Sequence, residues 1–178
     1  MPGQLRVFIA TSLDGFIAGP DHDLSWLPVP EPGGEDYGFA AFMAETAAML
    51  MGRATYDVVD GMEGDEWFYG DTPVFVATSR PLEPKQPTVR AISGEPVDLV
   101  AAVQAEVGDG NIYVDGGTLI RSLLDAGLVD QVIVTVVPVV LGAGFPLFAG
   151  VVRRHELELL GTEAYDNGLV QLRYDVRQ

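Results

Sequence analysis

Cysteine is absent from all 178 residues, which excludes disulfides, thiolate nucleophiles and cysteine-ligated zinc. Histidine is nearly absent too. His22 and His155 stand far apart, each among polar neighbours, and both read as surface imidazoles, so no metal site is expected. Positive charge is scarce, with ten basic residues against twenty-six acidic ones and a formal net charge of −16. A phosphate-backbone partner needs a basic stripe and an anionic membrane needs basic clusters; this chain offers neither. It also lacks any run of about 18 apolar residues that could span a bilayer. MPGQLRVFIATS leads straight into a strand-like stretch with no signal-peptide pattern, so a cytoplasmic protein is expected.

Hydrophobic residues make up 48% of the chain, enough for one well-buried core, and no composition shift or repeat divides it. One domain covering residues 1–178 is therefore expected. Strand-like runs alternate with helix-like ones. LRVFIATS (5–12) reads as a strand and DYGFAAFMAETA (36–47) as a helix. AAMLMG is a strand followed by a short helix, ATYDVVDG. PVFVATS (73–79) and TVRAIS (88–93) are two further strands. EPVDLVAAVQAEVG is a helix punctuated by Pro96, Asp98 and Gly108. NIYVDGG then gives a strand and TLIRSLLDAG a helix stopped by Gly127. QVIVTVVPVVLG is apolar throughout, as expected of a strand covered on both faces. The C-terminal part reads as a hairpin turning near Asp166–Gly168, with Val170, Leu172, Tyr174 and Val176 alternating with polar residues. These elements predict an α/β fold, a three-layer sandwich on a mixed, mostly parallel sheet with a C-terminal antiparallel hairpin.

Ligands of parallel sheets bind at the carboxyl ends of the strands. Three strand ends here carry small, polar or basic residues: Gly52-Arg53-Ala54-Thr55, Thr78-Ser79-Arg80, and Gly116-Gly117-Thr118 ahead of a helix. Hydroxyls, guanidiniums, backbone amides and a helix N-terminus are the groups that hold phosphate. The spacing is neither the Rossmann fingerprint nor a Walker motif, so the pattern supports a phosphate-bearing ligand without naming it.

FIATSLDGFIAG, MGRATYDVV, VATSRPL and the stretch from Tyr113 to Phe148 together resemble the dihydrofolate reductase-like superfamily. Within it, the chain is most similar to the reductase domain of riboflavin biosynthesis and its stand-alone relatives. That resemblance implies NADPH as cofactor. Arg53, Thr55, Ser79 and Arg80, with Thr78 alongside, would take the 2′-phosphate. Gly52 would sit at the same strand end. Gly116, Gly117 and Thr118 would wrap the pyrophosphate, and Ala10 and Ile17 would flank the nicotinamide. The activity implied is reduction of a small heterocycle, with a ribosylaminopyrimidine of the 5-amino-6-(5-phosphoribosylamino)uracil type as the nearest candidate. A dihydrofolate or pterin reductase and a non-catalytic NADPH-binding module are the alternatives. Asp115-Gly-Gly looks more like the Glu-Gly-Gly of the riboflavin branch than the three glycines usual in dihydrofolate reductases.

Hydride transfer to a C=N bond leaves a nitrogen that needs a proton. Asp36 falls where dihydrofolate reductases keep their active-site acid, and it would border both substrate and the buried side of the first helix. An acid in the first turn of a helix is equally explained by the dipole alone. Trp26 falls where the superfamily has a loop tryptophan over the substrate, although packing would account for it as well. Trp67, Phe68 and Tyr69 could cap the pocket or pin their acidic loop to the core. Relatives of this kind pair through their sheets. A homodimer is expected, built on Val132–Leu141 and the hairpin that follows.

Overall fold

The computed structural model describes residues 3–28, 34–62 and 67–177. Its centre is an eight-stranded sheet. The strands are β1 (Leu5–Ser12), β3 (Thr46–Gly52), β4 (Val74–Ala77), β5 (Val89–Ile92), β6 (Asn111–Asp115), β7 (Gln131–Val137), β9 (Leu157–Ala164) and β10 (Val170–Val176), in the spatial order β5-β4-β3-β6-β1-β7-β10-β9. The first six in that order run parallel, and β10 and β9 close the sheet antiparallel. Two short strands, β2 (Phe16–Ala18) and β8 (Phe145–Pro146), form a separate antiparallel pair that the sequence reading did not anticipate.

Alternation along each central strand builds two cores, because successive side chains point to opposite faces. Ala48 and Leu50, Ile112 and Val114, and Val132 and Val134 face one side; Met49 and Met51, Tyr113 and Ile133 face the other. On the first face lie α3 (Pro96–Val107) and α4 (Gly117–Asp125), which contribute Leu99, Val100 and Val103, and Leu119, Ile120, Leu123 and Leu124. The second face is aromatic. Phe42 of α1 (Phe39–Ala44) and Tyr56 of α2 (Arg53–Asp60) meet Tyr69 and Tyr113 there. The result is the expected three-layer sandwich with its C-terminal hairpin.

Three expectations need correction. The first helix is shorter than the pattern implied, starting at Phe39 rather than Asp36. Tyr37 and Gly38 hold left-handed backbone angles that no right-handed helix can contain. Of the two histidines, His22 is exposed as expected, its ring stacked on Phe145 with centroids 4.2 Å apart, but His155 is not a surface imidazole: its side chain is mostly buried and its Nε2 lies 2.9 Å from Asp125 Oδ1. Finally, β7 lies in the sheet interior between β1 and β10, so its apolar residues cover the core and do not offer a pairing surface. The exposed element is the edge strand β9, with Leu157, Leu159 and Leu160.

Ile120 is fully buried where α4 meets the sheet. Ile120→Ala is expected to lower the unfolding free energy by about 2–5 kcal/mol through lost burial and a residual cavity. Urea denaturation checks this as a lower midpoint at unchanged slope.

Candidate functional site

A cleft of about 960 Å³ opens across the carboxyl ends of β4, β3, β6 and β1. Strands β4, β3 and β6 contribute their last residues to the wall, Ala77, Gly52 and Asp115, and β1 contributes Phe8, Ile9 and Ala10 from its second half. The β2–β8 pair supplies the far lip through Ile17, Ala18, Phe145 and Pro146. This lip is fixed by Asp14. Its Oδ1 accepts from Ser12 Oγ at 2.7 Å and from the amide of Leu141 at 3.1 Å, and its Oδ2 accepts from the amide of Gly142 at 2.7 Å. These bonds, with Ser12 foremost, hold the Asp14 carboxyl down at about 2. The turn after β1 is thereby tied to the loop leading into β8.

The middle of the cleft is a cradle that depends on glycine. Gly116 adopts φ +102°, and a Cβ there would lie 2.6 Å from Thr55 Oγ1. At Gly117 a Cβ would approach Pro146 O at 3.0 Å and Ile17 Cδ1 at 3.1 Å. These separations place α4's first turn against both the start of α2 and the β2–β8 lip. The leading amides of α4 have no intrahelical acceptors, so this end is suited to an anion. Arg121 braces the same corner, donating from Nη1 to Pro146 O at 2.7 Å and from Nη2 to Thr118 Oγ1 at 3.2 Å.

Arg53 sits where β3 turns into α2. Its Nε donates to Asp57 Oδ1 at 2.7 Å and its Nη1 to the carbonyl of Pro81 at 2.9 Å. Asp57 also lies 4.0 Å from Arg80, so one carboxylate holds two guanidiniums together at the rim. Gly52, Arg53, Thr55, Gly116, Gly117, Thr118, Ala10 and Ile17 all line one cleft. Thr78, Ser79 and Arg80 fall outside its wall. Thr78 Oγ1 accepts from the amide of Arg80 in a local turn, and Ser79 and Arg80 are exposed.

The two residues expected on the substrate side are placed differently. Trp26 is not a cleft residue; its indole N–H donates to Asp23 O at 3.1 Å, while Leu24, Leu27 and Pro28 around it do line the wall. Asp36 also lies outside the wall. Its two oxygens accept from the amides of Gly38 and Ala40, each at 2.9 Å, and these bonds, led by that from Ala40, lower its pKa. It caps the start of α1. Phe68 and Tyr69 do reach the cleft, whereas Trp67 packs between Tyr56 and Tyr69.

The acid within the cleft is Asp115, at the end of β6. Burial raises its pKa to about 6, against the lowering effects of the Gly116 amide, 2.7 Å from Oδ1, and of Tyr113. The Tyr113 hydroxyl donates to Phe8 O at 2.9 Å and lies 3.5 Å from Asp115 Oδ2, where a protonated Asp115 can donate in return. Burial and the neighbouring Asp115 push the phenols of Tyr113 and Tyr69 upward, so both remain neutral donors. Sequence reasoning treated Asp115 only as part of a turn motif. The available signal was an acid following three core-strand residues, directly ahead of the phosphate-type glycines.

The family model for the RibD C-terminal domain matches residues 4–171. YwjB, an uncharacterised protein of Bacillus subtilis, is 34% identical over 98% of both chains. A protein of Shewanella sp. PV-4 named for riboflavin biosynthesis is similar in structure, with a TM-score of 0.88 and 35% identity over 98% of this chain and 99% of that one. The fold also matches the deaminase/reductase of Thermotoga maritima, with a TM-score of 0.74 and 15% identity over 98% of this chain and 56% of that one. Dihydrofolate reductase of Enterococcus faecalis, complexed with NADP(H), follows at a TM-score of 0.64 and 18% identity, over 99% of this chain and 96% of that one.

The raised pKa of Asp115 has a consequence for stability. Between its unfolded pKa near 3.8 and its folded pKa of about 6, the folded chain binds more protons than the unfolded one. Stability therefore falls as pH rises through that window, and above it the full cost persists. Because the residue keeps some solvent contact through the cleft, that cost is on the order of 1 kcal/mol. Asp115→Asn is expected to flatten the decline between pH 4 and 6 and to raise Tm at pH 7.5 by about 2–4 °C. Calorimetric melts across pH check it, and an unchanged slope would refute it.

Proposed function

The chain belongs to the RibD C-terminal domain family, and from that premise we propose that it is an NADPH-dependent reductase of a small heterocyclic substrate. The observation that carries this reading is the convergence of Gly52-Arg53, Thr55 and Gly116-Gly117-Thr118 on a single cleft whose wall also contains many apolar side chains and the acid Asp115. The cradle suits a dinucleotide. Only glycine leaves room between α4 and Thr55, and an arginine and the N-terminus of α4 both line the cleft.

Bound NADPH would supply a hydride to the electron-poor carbon of a C=N bond. Gly116, Gly117 and Thr118 would hold the pyrophosphate through backbone amides. Arg53 would hold the 2′-phosphate, with Arg80 approaching from outside the wall as Asp57 lets go. Ala10 and Ile17 would press on the nicotinamide edge and keep water out. The substrate nitrogen would receive its proton from Asp115, the enclosed acid whose pKa lies nearest neutrality, and Asp115 would regain one from solvent. Asp36, fully engaged by two amides, would serve the start of α1. A homodimer formed through the exposed edge strand β9 completes the proposal, with light scattering of the purified chain as its measure.

Calorimetry with NADP⁺ and NAD⁺ tests the cofactor assignment. Arg53→Ala is expected to weaken NADP⁺ roughly tenfold or more while changing NAD⁺ binding little, as loss of a charge-assisted phosphate contact implies. Retention of the full NADP⁺ preference would contradict it.

The two carboxylates separate by kinetics. Asp115→Asn is expected to cut kcat by about 10²-fold or more with cofactor binding intact. Asp36→Asn should leave kcat within a few-fold of the parent enzyme and lower Tm. In the parent enzyme kcat is expected to fall as pH rises through about 6, as Asp115 loses its proton. A kcat loss confined to Asp36→Asn would reverse the assignment.

A further inference from the structure

With the cofactor assigned to the glycine cradle and Arg53, the cleft-lining residues left for the substrate include Leu24, Leu27, Pro28, Met62, Phe68 and Tyr69. Five of these side chains are wholly apolar, and the sixth presents a phenol. Among the described residues lining the whole cleft, only Arg53, Arg121 and His22 can carry positive charge. Both arginines belong to the cofactor side. Arg53 stands at the start of α2, and Arg121 is spent on the carbonyls of Pro146 and Leu147 and the hydroxyl of Thr118. His22 lies face to face with Phe145, an interplanar angle of 9° apart, and presents only its ring edge.

The chain has just ten bases in all, and the other eight do not contribute to the cleft wall. Most are tied elsewhere: Arg6 to Glu45, Lys85 to Asp60, Arg90 to Glu106, Arg154 to Glu156 and Arg177 to Glu158. Nor does a helix end substitute for a cation, because the start of α1 is already occupied by the carboxylate of Asp36. A phosphate or carboxylate arm on the substrate would thus leave water for an apolar wall whose described residues offer no counter-charge, in a molecule of net charge −16.

Resting on the reductase reading, we infer that the substrate is an uncharged planar ring with neither phosphate nor carboxylate arm. This sets the chain apart from a reductase of 5-amino-6-(5-phosphoribosylamino)uracil, whose substrate carries a phosphate, and from a reductase of dihydrofolate, whose substrate carries a glutamate. The flat ring would lie against Phe68 and Tyr69, near the Asp115 carboxyl group.

The test is equilibrium binding to the full chain. The protein is first titrated with NADP⁺, and absence of heat at that step would defeat the reductase reading itself. The NADP⁺-saturated protein is then titrated with two matched pairs: the ribosylaminopyrimidine 5′-phosphate against its dephosphorylated nucleoside, and dihydrofolate against 6-methyl-dihydropterin. A neutral member binding roughly tenfold or more tighter than its anionic partner is the expected result, equivalent to about 1.4 kcal/mol. An anionic member that binds as well as its neutral partner, or better, overturns the inference. So does a NADP⁺-binding protein to which neither neutral compound binds.

Discussion

The architecture of the site depends on one close approach, that of the backbone at Gly116 to Thr55. Two β-to-α turns, one after β3 and one after β6, are brought so near that even a methyl group at residue 116 would strike the Thr55 hydroxyl at 2.6 Å. Because β3 and β6 are hydrogen-bonded neighbours in the sheet, their turns emerge side by side. The start of α2 and the start of α4 therefore form opposite sides of a narrow trough. Gly117 repeats the constraint against the β2–β8 lip, with Ile17 and Pro146 as the third side. Close backbone approach is what lets amides, rather than long side chains, meet a phosphate group. A chain this poor in bases would rely on them to hold an anion.

Scarcity of positive charge shapes the rest of the molecule. Four arginines and the single lysine, half of the ten bases, sit in ion pairs with exposed or partly exposed partners, where each pair contributes little to stability. Their effect is on charge distribution, since a paired guanidinium attracts no anion. The two arginines of the cleft are also engaged, Arg53 by Asp57 and Arg121 by main-chain carbonyls. Binding an anion at Arg53 means exchanging one carboxylate for another anionic group, which tunes selectivity more than raw affinity. The cleft is thus polar on one side and oily on the other, a division that suits a charged cofactor beside an uncharged ring.

Much of this was legible from the sequence, for identifiable reasons. Strand β1 was bounded at Leu5–Ser12 because its apolar run ends at the Asp14-Gly15 turn, and α3 because Pro96 and Gly108 bracket it. Gly52-Arg53, Thr55 and Gly116-Gly117-Thr118 were found because strand ends and helix starts leave local marks. The β2–β8 pair was not legible. Its two short strands lie far apart in sequence, and tertiary bonds from Asp14 hold the adjoining loops together. Asp115 drew no attention as a candidate acid because its character comes from enclosure beside Tyr113 and Tyr69, which no spacing reveals. Asp36 drew attention through its position in the chain, whereas its hydrogen bonds are short-range and point back into its own helix start.

Three aspartates show how environment assigns work to one chemical group. Asp14 accepts three hydrogen bonds from Ser12, Leu141 and Gly142, so its charged form is held firmly and it acts as a fastener. Asp36 accepts two from the start of α1 and is held in the same sense, as a cap. Asp115 accepts one short bond from its own neighbour's amide and otherwise faces phenols and apolar side chains. Desolvation therefore outweighs hydrogen bonding, and its proton is retained closer to neutrality than that of the other two. A carboxyl group that donates a proton at working pH must be one that the fold declines to satisfy as an anion. By that criterion Asp115 is the candidate acid of this site, whereas the hydrogen bonds that make Asp14 and Asp36 structurally useful favour their charged forms.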